Sequence, residues 1–124
     1  MSAVVDQGRF EQEWAADLDV LSNLARNGDV ASVARTVDVS FVGTKALLDP
    51  LVDGAAAWGF EFGQFEEVED PEDGEDWRLD LDIVQSAEPE AIKALTRKCL
   101  EIETAYPGIR YDGWGCAAQT GSNS

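Results

Sequence analysis

Histidine is absent from this 124-residue sequence, and cysteine occurs only twice, at Cys99 and Cys116. The first absence removes every His-dependent catalytic triad and the commonest metal ligand. Two thiols rarely suffice for a structural zinc site, so no metal and no cofactor are expected. Both cysteines read as reduced thiols, one on a helix and one on a strand. Basic residues are scarce as well: nine Lys and Arg stand against 25 Asp and Glu, a net charge of −16. A chain of that charge repels phosphate backbones, so direct nucleic-acid binding is not expected. Base stacking on sheet aromatics is unsupported for the same reason, because the cations that accompany it are missing. No apolar run approaches the roughly 20 residues that span a bilayer. Met1 to Gln12 also lacks the basic-then-apolar order of a signal peptide. The expectation is a cytoplasmic protein with no membrane attachment.

What is present is apolar periodicity. Hydrophobic residues make up 44% of the chain, with four Trp and five Phe, enough for one modest core and unlike acidic disorder. Phe10, Trp14, Leu18, Leu21 and Ala25 fall on one helical face over 9–27, with Asp17 and Asp19 on the others, and Asn27-Gly28 stops the helix. Val37, Val39 and Phe41 alternate with Asp38 and Ser40, predicting a strand over 35–42. Leu47, Leu48, Leu51, Val52, Ala55 and Trp58 form a second helical face that Gly59 ends. Its start has two solutions: Thr44 as cap, or a late start with Asp49 as cap and Pro50 in the first position.

Phe60, Phe62, Phe65 and Val68 change phase at Gly63, which predicts a strand with a bulge there. Pro71-Glu72-Asp73-Gly74 is a turn, and Trp77, Leu79, Leu81 and Ile83 alternate cleanly with Arg78, Asp80 and Asp82. Pro89 opens a third helix, whose Ile92, Leu95, Cys99 and Ile102 face inward. Ile109 and Tyr111 begin a last strand in which Gly113 and Gly115 flank Trp114. The order is helix, then β-α-β-β-α-β, the ferredoxin-like α+β arrangement of one antiparallel sheet with both crossover helices on one face. The first helix is an addition, whose Phe10 and Trp14 are expected to be buried on the sheet or against a partner chain.

The terminal strand Tyr111-Asp112-Gly113-Trp114, with Asn27-Gly28-Asp29 and Gly59-Phe60, resembles the regulator of ribonuclease E activity B family from Leu24 to about Ala118. The resemblance implies a ferredoxin-like fold over residues 1–118, counting helix 9–27 as an addition and 119–124 as a flexible tail. It also implies a non-enzymatic protein that binds ribonuclease E or its RNA-degrading assembly and inhibits RNA cleavage by acting on the enzyme. Gly115-Cys116 and the non-acidic tail depart from the family pattern.

Thirteen carboxylates lie between Glu61 and Glu90 against the single cation Arg78. Glu66, Glu67, Glu69, Asp70, Glu72, Asp73, Glu75, Asp76, Asp80 and Asp82 are the candidate contact residues for a basic, Arg-rich partner segment. The competing reading is a solvated turn that protects a sheet edge. An EF-hand register with Gly74 at its sixth position puts Pro71 at a ligand position, which argues against calcium. Asp112 is expected to bond turn amides around Gly113. Trp114 and Tyr111 are either sheet core or an exposed anchor. A different class, a small-ligand or weakly homodimeric module using Phe10 and Trp14, remains the alternative.

Overall fold

A computed structural model describes residues 5–69 and 75–119. The Pro71–Gly74 turn and tail residues 120–124 lie outside them, as do candidates Asp70, Glu72 and Asp73. The elements run α1 (Gln7–Arg26), β1 (Arg35–Gly43), α2 (Lys45–Gly54), β2 (Glu61–Glu67), β3 (Trp77–Gln85), α3 (Pro89–Ala105) and β4 (Arg110–Gly115). The strands form one antiparallel sheet in the order β2-β3-β1-β4, with β1 central between β3 and β4. A β-α-β-β-α-β chain with this order and these directions is ferredoxin-like, as its periodicities predict.

Each element forms for a local reason. Asp6 caps α1 by accepting from the Arg9 N–H at 2.8 Å, and Gly28, at φ 82°, lets the chain leave the helix after Asn27. Thr44 caps α2 by accepting from the Leu47 N–H at 3.3 Å, so the early start is adopted and Pro50 lies inside the helix. A 3-10 turn at Ala55–Trp58 continues α2 until Gly59, at φ 90°, ends it. The expected bulge in β2 appears as a register shift between Phe62 and Gln64. The core lies between the sheet and the helices, where Val37, Val39, Phe41, Leu79, Leu81 and Tyr111 meet Leu48, Leu51, Ile92, Leu95 and Ile102.

Three expectations need correction. The α1 helix packs chiefly on α3 and meets the sheet at β4, and Phe10 is buried within its own chain. Leu18 and Leu47 share the apolar faces of their helices, but they are 48% and 40% exposed. Asp17 was placed on an outer face of α1 and is instead buried. Its carboxylate accepts from the Thr96 hydroxyl and, at 2.7 Å, from the Trp114 indole N–H. Donors from α3 and β4 turn that polar position of α1 inward and rotate Leu18 out.

Candidate partner-binding face

Alternation along β1 and β3 sends Val37, Val39, Phe41, Leu79 and Leu81 to the core. Thr36, Asp38, Ser40, Arg78, Asp80, Asp82 and Val84 go to the other face of the sheet, which no described helix covers. The residues of that face divide into two zones of different electrostatic character.

The first zone, toward the β2–β3 turn, is an ion network that nearly neutralises itself. Arg110 holds Glu75 through two bonds, of 2.8 and 3.0 Å, and Asp112 at 3.0 Å. Arg78 reaches Asp112 at 3.4 Å, Asp80 at 3.2 Å and the Ser40 hydroxyl oxygen at 2.9 Å, and that hydroxyl donates to Asp80 at 2.7 Å. The bidentate bond from Arg110 favours the ionised Glu75 carboxylate and holds its pKa below the ordinary value.

In the second zone the carboxylates have no cation. Strand register sets Glu61 of β2 opposite Asp82 of β3, and Asp82 opposite Asp38 of β1. These form one row across three strands, and none of the three makes an ion pair among the described residues. Burial, then the charges of Asp80 and Asp82, hold the pKa of Asp38 above its ordinary value. Gly63 leaves room for the row, since a Cβ there would lie 2.8 Å from the Asp80 carbonyl oxygen and 3.2 Å from Asp82 Oδ1. Chemically this zone can accept a cation: Asp38 and Asp82 are half-buried, Glu61 is exposed, and none has an ion-pair partner among the described residues.

The terminal motif is a seam between sheet and α1. Tyr111 is buried against Phe41 with ring centroids 5.6 Å apart. Gly113, at φ 102°, makes the bulge that separates the Val39–Trp114 and Phe41–Tyr111 pairs. Half-buried Trp114 then returns to the core side to bond Asp17. Asp112 does not bond turn amides as expected. Its carboxylate projects onto the uncovered face, where Arg110 and Arg78 take it up.

The sequence-derived acidic cluster is therefore distributed over several places. Asp80 and Glu75 are absorbed into the ion network, and Asp82 joins the unpaired row. Glu66 and Glu67 lie on β2, and with Val68, Glu69 and Arg78 they line an open groove of about 490 Å³; Asp76 lies just before β3. Sequence reasoning missed Asp38 as a site residue and left Glu61 out of the candidates. The available signal was that Asp38, like Asp82, occupies an outward position in a strand with period-2 alternation.

These features define a small ferredoxin-like α+β domain with one helix-covered sheet face and one uncovered, acid-bearing face. The chain belongs to the regulator of ribonuclease activity B family, whose model matches residues 14–116, most of its length. A search of curated proteins finds no match. Its family is thus one of regulators of ribonuclease activity, not of catalysts. No helix among the described residues is long and apolar enough to cross a membrane.

Proposed function

We propose that this protein binds ribonuclease E, or a related ribonuclease or protein of its RNA-degrading assembly, and lowers RNA cleavage without performing chemistry itself. The contact is a basic segment of the partner docked on the uncovered sheet face and the adjoining β2–β3 hairpin, with no direct contact to RNA. One observation carries the reading: Glu61, Asp82 and Asp38 form a row across three strands with no ion pair among the described residues, while Arg78 and Arg110 pair elsewhere. Guanidinium or ammonium groups of a partner would supply the missing charge through charge-assisted hydrogen bonds. The functional unit is one domain over residues 1–118, working in the cytoplasm as a monomer or weak homodimer.

The test is an RNA-cleavage assay with purified ribonuclease E, at low and at high salt, with the wild-type chain and with Asp38→Asn/Asp82→Asn. Inhibition at low salt that fades at high salt, and that the double variant loses, is the expected result. No inhibition and no binding by the wild-type chain at low salt overturns the choice of partner. Equal inhibition by the double variant overturns the choice of surface.

A further inference from the structure

The two edges of the sheet are treated differently. At the β4 edge, the Tyr111 N–H donates to Glu103 Oε2 at 2.8 Å, and the Tyr111 carbonyl accepts from Arg9 Nη2 at 3.1 Å. Arg9 and Glu103 are themselves ion-paired at 2.7 Å. A salt bridge between α1 and α3 thus satisfies backbone groups that an added strand would otherwise take. Nothing comparable protects β2. It pairs with β3 alone, six of its seven residues are exposed, and no described side chain bonds its backbone. Phe62 is 55% exposed on the same strand. A free edge with an exposed aromatic is a template for a further strand.

Charge selects the occupant. Two copies of β2 paired edge to edge would bring together strands that each carry Glu61, Glu66 and Glu67 and no cation, and like charges across such a pair repel. An extended segment bearing Lys or Arg meets the opposite condition, since Glu61, Glu66 and Glu67 of β2 and Glu69 just beyond it carry no cation among the described residues.

We propose that the basic partner segment binds as a fifth strand along β2, its backbone pairing with the free edge and its cations alternating onto the carboxylates. This rests on the reading of the acidic surface given above and adds to it the conformation of the ligand and the place where it lies. Phe62 would receive an apolar residue of the incoming strand, and the register shift at Gly63 would limit the pairing to a short segment.

The probe is an acetylated, amidated peptide of alternating arginine and valine, compared with a peptide of the same charge in which proline replaces valine. Proline has no N–H to donate and cannot add to a ladder. Binding of both to the full chain is measured by calorimetry, and hydrogen exchange of the β2 amides is followed in each complex. The alternating peptide is expected to bind about tenfold tighter or more and to slow exchange at β2. Equal binding of both peptides with β2 amides unchanged overturns strand addition while leaving the acidic surface intact. Binding of neither peptide overturns both. Protection of β2 that grows with protein concentration in the absence of peptide overturns the basic occupant in favour of a second copy.

Discussion

Replacing Asp17 by asparagine and by alanine separates two opposing effects at the α1 seam. The carboxylate is buried, and burial pushes its pKa above the ordinary value even though Thr96 and Trp114 both donate to it. Its folded-state pKa therefore exceeds its unfolded value. Between the two values the folded state binds more protons, so stability falls as pH rises through that window, and the ionised form remains a cost above it. An asparagine keeps an acceptor for the Trp114 N–H and a donor toward the Thr96 oxygen but never ionises. Asp17→Asn should be within about 1 kcal/mol of wild type at neutral pH, on the more stable side. Alanine leaves the indole N–H and the hydroxyl without a partner, at about 1–3 kcal/mol each, whereas both variants remove the buried charge alike. Asp17→Ala should thus be about 2–6 kcal/mol less stable than Asp17→Asn, a Tm lower by roughly 4 °C per kcal/mol. Thermal unfolding of all three proteins from acid to neutral pH is the assay, since differences at each pH cancel the other carboxylates. Asparagine should gain on wild type as pH rises. A wild type that gains on asparagine instead would show that the hydrogen bonds outweigh burial and would refute the reasoning. Equal stability of alanine and asparagine would refute the bridging role of residue 17.

Three further outcomes are expected. Arg35→Ala removes a guanidinium that pairs with Asp29 at 2.7 Å, both side chains being almost fully buried, and that donates to the Val30 and Val33 carbonyls. The stranded Asp29 charge should cost about 3–5 kcal/mol in urea unfolding. Gly113→Ala meets no atom within 4 Å but forces an L residue to φ 102°, so its cost of about 1–3 kcal/mol is conformational and should appear in Tm without a change of core. Asp38→Asn relieves repulsion across the sheet and should stabilise the fold by about 0.2–1 kcal/mol at neutral pH. Because the folded pKa of Asp38 is raised, that gain should shrink as pH falls toward the unfolded carboxylate value, which parallel thermal melts would detect.

The strands and the ferredoxin-like order were legible because apolar and polar residues alternate from Val37 to Phe41 in β1 and from Trp77 to Ile83 in β3. Gly63 announced its bulge by the phase change between Phe62 and Phe65. The start of α2 was left open between Thr44 and Asp49, and the Thr44 hydroxyl decides it. What sequence could not show depends on partners remote along the chain. Asp17 looks like a solvent-facing residue of an amphipathic helix, and its donors lie 79 and 97 residues away. Asp38 is one acid among many until the register sets it opposite Asp82. The acidic hairpin was visible as composition, but composition does not distinguish Glu75, held by Arg110, from Asp82, which has no cation.

That distinction bears on why the uncovered face is built as it is. A sheet face needs charge to stay soluble, and interspersed charges of both signs serve that need at least cost. This chain does so at one end, where Arg78 and Arg110 are threaded among Asp80, Asp112 and Glu75. At the other end it sets Asp38 and Asp82 directly opposite each other and Glu61 opposite Asp82, and a single substitution could relieve the repulsion. Repulsion of a second copy from the free edge explains the acids of β2 but not Asp38, which lies on the central strand. A local arrangement that costs stability without serving the fold is where a contact surface is expected. Concentrated charge of one sign also accelerates encounter with a basic partner more than it strengthens the final complex. The unpaired row therefore suits the fast encounter with a basic segment on which the proposed function rests.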